Sequence, residues 1–198
     1  FNLEKLPVIG KKNYNEWLHS DLLPNTRIII EPSIYGFSLV LEFDDGSLKR
    51  AISKYGKDTR NLIDLIDNIP QRIPLNKNIY IRGLVYIPQS KVGLNLSFND
   101  YFIKQKELIY CAFQIINSDL NHFSELSQLH KLGFIIPENE CTKYNVNEIE
   151  LYISLWRNGK LFAQYPTNGI IFKVNSRKLQ KILGETNNHF NWATAIRS

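Results

Sequence analysis

Apolar positions in this chain recur mostly with the period-two rhythm of strands, interrupted by a few stretches of helical period. Strand patterns predict residues 27–30, 37–43, 47–53, 78–87, 107–116, 134–137, 169–175 and 192–197. Residues 27–46 carry the clearest signal: an apolar strand, a polar bend over residues 31–36, a second strand and an Asp45-Gly46 hairpin turn. In residues 47–53, Leu48, Arg50 and Ile52 are expected on one side and Lys49 and Ala51 on the other. Gly83 is expected to break the strand at 78–87.

Helical spacing predicts residues 11–23, with Tyr14, Trp17, Leu18 and Leu22 on one face and Pro24 as the stop. A second helix is predicted at 58–69, with Leu62, Leu65, Ile66 and Ile69 facing inward before Pro70. A third runs over 122–131 and ends before Gly133, where a glycine commonly closes a helix. A fourth covers 145–158, with Ile149, Leu151, Tyr152, Leu155 and Trp156 on its apolar side. A fifth covers 176–183 and is ended by Gly184. Residues 89–101 read as a polar loop. Strands and helices mix without strict β-α-β alternation, which predicts an α+β domain.

The 198 residues, 43% of them hydrophobic, suffice for one well-buried domain. No apolar run is long enough to span a bilayer, so no membrane contact is expected. The formal charge of +5 favours an anionic partner such as nucleic acid, though an ordinary solvated surface would also carry it. Cys111 and Cys141 lack metal-ligand spacing and are expected to be free thiols in a reducing, cytoplasmic setting. The four histidines, His19, His122, His130 and His189, are scattered, and no metal site is predicted.

The bend reads Glu31-Pro32-Ser33-Ile34-Tyr35-Gly36. It resembles the first nucleotidyltransferase motif of the NAD-dependent DNA ligases, Glu-x-Lys-x-Asp-Gly, whose lysine attacks NAD and becomes adenylated. Ser33 stands at the lysine's position and Tyr35 at the aspartate's. The resemblance extends along the chain. Ser53-Lys54-Tyr55-Gly56-Lys57 stands where the family has Thr-Arg-Gly-Asp-Gly, with Lys54 in the arginine's place. Tyr80-Ile81-Arg82-Gly83-Leu84 replaces Glu-Val-Arg-Gly-Glu, so the ribose-contacting second glutamate becomes Leu84. Tyr110-Cys111-Ala112-Phe113-Gln114 matches the strand whose aromatic ring stacks on adenine, and Phe113 keeps the ring. Lys131-Leu132-Gly133-Phe134 matches Lys-x-Gly-Phe.

The clearest match is Asn168-Gly169-Ile170-Ile171-Phe172-Lys173-Val174-Asn175, which resembles Asp-Gly-Val-Val-Ile-Lys-Val-Asn. Lys173 stands where the family lysine contacts the nucleotide. Trp192-Ala193-Thr194-Ala195-Ile196-Arg197 resembles Trp-Ala-x-Ala-Tyr-Lys, and Arg197 replaces the lysine that meets the α-phosphate. Between Pro88 and Leu108 the family's Asn-Pro-Arg-Asn-Ala-Ala-Ala-Gly segment is not matched.

This resemblance implies an adenylation-type nucleotidyltransferase fold of antiparallel sheets flanked by helices, occupying residues 1–198 as a single domain. No oligonucleotide-binding, zinc-finger, helix-hairpin-helix or BRCT domain is expected within these residues. It implies no catalytic residue, because adenylation needs an amine nucleophile and Ser33 offers a hydroxyl with no base in the motifs. Tyr35 and Leu84 remove carboxylates that would assist a metal. Tyr35 is further expected to fill the site.

What survives is Glu31, Gly36, Lys54, Phe113, Lys173 and Arg197, a set that could hold NAD or AMP without reacting. No cofactor is otherwise expected. The leading expectation is a catalytically inactive homologue binding DNA or a DNA-processing partner, cytoplasmic or with the nucleoid. Lys49, Arg50, Lys54, Tyr55, Lys57 and Arg60 would supply the basic surface, with Lys104, Lys106, Arg177, Lys178 and Lys181 adding to it. A non-covalent nucleotide sensor is the alternative. A ligase-type enzyme with a relocated nucleophile, Lys54 or Lys173, is a third.

Overall fold

The structure is a computed structural model describing residues 17, 22, 24–53, 56–88, 107–186 and 190–197. Among the described residues there are eight strands: β1 (Arg27–Ile34), β2 (Phe37–Asp44), β3 (Ser47–Ser53), β4 (Ile79–Tyr86), β5 (Ile109–Ile115), β6 (Glu140–Lys143), β7 (Thr167–Val174) and β8 (Ala193–Arg197). Three α-helices accompany them, α1 (His122–Lys131), α2 (Val146–Arg157) and α3 (Arg177–Leu183), with one 3-10 helix at Arg60–Leu65. The strands form two four-stranded sheets in the orders β6-β1-β7-β8 and β3-β2-β4-β5, with every neighbouring pair antiparallel. This is the α+β class that the sequence pattern predicts. None of the described helices is long and apolar enough to cross a membrane.

The chain divides into two compact units. One comprises Tyr35–Ser118 and Ser124–Pro137, and its core gathers Leu41, Phe43, Ile81, Tyr110, Leu129 and Phe134. The Asn68 side chain fastens β5 there, donating to the Tyr110 carbonyl at 2.6 Å and accepting from the Tyr110 N–H at 2.9 Å. The other includes the described residues from Trp17 to Ile34, Asp119–Phe123 and the described residues from Glu138 onward. Its core joins Trp17, Ile28, Ile30, Ile149, Phe172 and Val174. Trp17 and Leu22, both buried, belong to the predicted first helix; the rest of residues 11–23 lies outside the described residues. The predicted loop at 89–101 also lies outside them, as does Lys54.

Several elements differ from the expectation for identifiable reasons. The predicted bend over residues 31–36 shrinks to Tyr35 and Gly36, because β1 continues through Ile34. Pro32 lacks an N–H, and the register against β7 shifts between Pro32 and Ile34, a bulge that lets the strand go on. Alternation in β3 fails because the register shifts between Glu42 and Phe43. Glu42 faces Arg50 and Phe43 faces Leu48, leaving Lys49 as the extra residue. Leu48 and Ala51 are therefore both buried, and Lys49 and Arg50 both exposed.

Residues 58–69 form no α-helix. Ile63, Ile66 and Ile69 are buried at intervals of three, the period of the 3-10 helix that begins there, and Leu65 is left 47% exposed. In α2, Leu151 is exposed and Ile153 buried in its stead, which keeps Ile149, Tyr152, Ile153 and Trp156 on one stripe.

β4 passes through Gly83 unbroken. A Cβ there would lie 2.5 Å from the Cys111 carbonyl oxygen and 2.5 Å from Tyr110 Cζ, so the close approach of β5 explains the glycine. Gly133, with φ of 91°, ends α1 as expected. Residues 134–137 contribute only an isolated parallel bridge between Cys111 and Ile135. β6 has no counterpart in the sequence pattern: Glu-Cys-Thr-Lys shows no apolar face and pairs with β1 through its backbone. Cys111 is buried and Cys141 exposed, and neither is joined in a disulfide.

Candidate functional site

β1 and β7 are neighbours, with Ile29 facing Lys173 and Glu31 facing Ile171. Ile28 and Ile30 of β1, and Ile170, Phe172 and Val174 of β7, belong to the core. Alternation therefore sends Glu31 and Lys173 to the opposite face, where they stand diagonally across the strand pair. The third member comes from the start of α1. The His122 N–H donates to the Asn175 carbonyl at 2.9 Å, and the Phe123 N–H donates to Asn175 Oδ1 at 2.9 Å. Those two bonds seat the helix end beside β7.

Lys173 Nζ donates to Glu31 Oε2 at 2.5 Å, His122 Nε2 meets Glu31 Oε1, and Lys173 Nζ lies 3.4 Å from His122 Nε2. All three residues are buried, none more than 5% exposed. The Glu31 carboxylate thus has a partner on each oxygen, the Lys173 ammonium on one and the His122 imidazole on the other.

Burial alone pushes the Glu31 carboxyl up. Lys173 and then His122 outweigh it and bring it down to about 2, from an ordinary 4.5. A carboxylate with a depressed folded-state pKa stabilises fully above its unfolded value and loses that contribution as pH falls through the folded one. Urea unfolding midpoints should thus drop between about pH 4.5 and 2, by the order of 3 kcal/mol attributable to this group. The part of the drop that disappears in Glu31→Gln measures it. An unchanged acid limb in that variant would contradict the assignment.

Ser33 lies at the β1 bulge, and its Oγ donates to Asn168 Oδ1 at 2.8 Å. Arg197, at the end of β8, pairs in register with Gly169 and is exposed. By strand alternation it shares a sheet face with Lys173, four residues away along β7, about 13 Å. The second unit thus assembles Glu31, Ser33, Lys173 and Arg197 on one sheet.

Gly36, Phe113, Tyr35 and Leu84 belong to the first unit. Phe113 is half-buried, with the Arg82 guanidinium carbon 5.8 Å from its ring centre. Leu84 is half-buried on β4, opposite Ser38. Tyr35 is 56% exposed, which corrects the expectation that its side chain fills a site.

His122 was not reachable from sequence reasoning, which found the histidines scattered. Only the pairing of β1 with β7, and the two Asn175 bonds, bring it to Glu31. Among the described residues, no group of three histidine, cysteine or acidic side chains is placed to hold a metal ion.

This arrangement of sheets is that of the ligase nucleotidyltransferase fold. The ligase domain of LigD from M. tuberculosis superposes with a TM-score of 0.57 at 15% identity, covering 100% of this chain and 61% of that one. The family of the chain follows from its sequence. The NAD-dependent DNA ligase adenylation domain profile matches residues 10–111 and 95–197, and the chain belongs to that family. A DNA ligase of Ehrlichia canis (strain Jake) is 28% identical over 204 residues, covering 91% of this chain and 30% of that protein. A DNA ligase of Petrotoga mobilis is 25% identical over 233 residues, covering 97% and 35%. The chain spans about a third of the length of these curated relatives.

Proposed function

We propose that this adenylation-domain homologue forms no covalent adenylate and works as a binding module for DNA or a DNA-processing partner. The observation that carries the first half is Ser33. Where the family's nucleophile stands, there is a hydroxyl whose proton is directed to the Asn168 amide oxygen, a weak base. A relocated nucleophile at Lys173 is disfavoured, because its ammonium is buried and paired with Glu31. An amine needs a free lone pair directed at phosphorus, and here the nitrogen is buried and turned to the Glu31 carboxylate. The formal charge of +5 and the DNA ligase relatives support the second half.

Incubation with labelled NAD or ATP, followed by denaturing electrophoresis and intact-mass measurement, should show an unmodified chain. A stable added AMP would refute the inactive reading. The nucleotide-sensor alternative requires Lys173 to turn from Glu31 toward a ligand. Calorimetry with NAD and AMP should accordingly show no binding that Lys173→Ala abolishes.

A further inference from the structure

β3 is an edge strand, and its bulge at Lys49 undoes the alternation that would otherwise bury every second residue. Lys49 and Arg50, adjacent in sequence, are consequently both turned to solvent. Two flanking segments run alongside the same strand. The Ser53 N–H donates to the Lys57 carbonyl at 2.9 Å, and the Thr59 N–H to the Ala51 carbonyl at 2.7 Å. At the other end, the Leu48 N–H donates to the Gln71 carbonyl at 3.0 Å, and Ser47 bridges Arg72.

Arg60 is fixed between them. Its backbone N–H donates to Asp58 Oδ1 at 3.0 Å, and its Nη1 donates to the Lys49 carbonyl at 2.6 Å. Arg50 is oriented by Glu42, which also accepts from the Tyr80 hydroxyl at 3.1 Å. Lys49, Arg50, Lys57, Arg60 and Arg72, all exposed, are thereby gathered along one strand edge, with Glu42 and Asp58 as the acids engaged among them.

We propose that this edge of β3 is the surface on which the protein receives the phosphodiester backbone of nucleic acid, an inference that rests on the DNA-binding reading above. Seven residues at about 3.3 Å each give an edge of roughly 20 Å, the axial rise of about six base pairs of duplex. A line of exposed cations along a strand edge, two of them held by side-chain bonds, matches a regularly charged linear polyanion better than the irregular surface of a folded acidic protein. The contact reads phosphate, not base, so binding is insensitive to sequence.

Fluorescence anisotropy on a labelled duplex of about 20 base pairs, over roughly 50 to 200 mM salt, tests this. The variant Lys49→Gln/Lys57→Gln/Arg60→Gln should weaken binding at least tenfold at low salt and flatten the log–log salt slope by about 3. Lys49→Gln/Lys57→Gln, which leaves the Arg60 bonds intact, should flatten it by about 2, with an unchanged urea midpoint. Lys143→Gln/Lys160→Gln, at two exposed positions away from β3 in sequence, should leave the slope alone. If the wild-type chain binds duplex and the β3 variants keep its slope, or lose no more than the Lys143→Gln/Lys160→Gln variant, this surface is wrong while the DNA-binding reading stands. If the wild-type chain fails to bind at low salt, both fall.

Discussion

Lys173→Met should lower the unfolding free energy by about 3–5 kcal/mol, read as a fall in urea midpoint with little change in m-value. Lys173 is 3% exposed, and its ammonium sits 2.5 Å from a carboxylate that is itself 2% exposed. Removing the ammonium leaves Glu31 a buried carboxylate without its cation, and an uncompensated buried charge costs more than the original pair contributed.

Adding Glu31→Gln to Lys173→Met should recover most of the loss, since no uncompensated carboxylate remains in the buried site. A double variant as unstable as the single one would mean that the packing of the lysine stem, not the charge, was lost.

The sequence announced the fold better than the site, and the reason is visible residue by residue. α1 was legible to the residue because its apolar stripe and the closing Gly133 are both local signals. The Asn168–Asn175 match likewise marked β7. The helix expected at residues 58–69 rests on Leu62, Leu65, Ile66 and Ile69 at helical spacing, and only packing shows that Leu65 points outward while Ile63, Ile66 and Ile69 are the buried set. β6 was invisible because an edge strand that pairs through its backbone needs no apolar face. Lys49 and Arg50 were expected on opposite sides, since nothing in the residue types marks a bulge.

The motif resemblance brought Glu31 and Lys173 forward as ligand-facing residues, yet it could not show that they face each other. That pairing depends on strand register, and His122 depends on a helix end 91 residues away from Glu31 in sequence. Fold motifs are read locally; the electrostatic site is a product of topology.

Phe134→Ala should destabilise the chain by about 3–5 kcal/mol, and Phe134→Leu by clearly less. Phe134 comes from the Lys-Leu-Gly-Phe segment, one of the stretches that resembles the ligase family, and its work here is packing. The ring is 2% exposed and meets Phe43 edge-on at 5.9 Å and Tyr110 at 6.2 Å. Its N–H donates to the Leu129 carbonyl at 3.1 Å, which ties the residue to the end of α1. Tyr110 in turn donates its hydroxyl to the Ile81 carbonyl at 2.9 Å, so the cluster joins α1, β4 and β5.

Truncation to alanine removes a ring from a cluster held rigid by that hydroxyl and by the Asn68 clamp, and a rigid surround collapses poorly into a cavity. Near-UV circular dichroism should lose intensity in proportion, and the change should fall within the first unit's aromatic residues. A loss under 1 kcal/mol would show that the cluster relaxes around the gap. It would also remove the grounds for treating this family-like segment as a packing element and not a binding one.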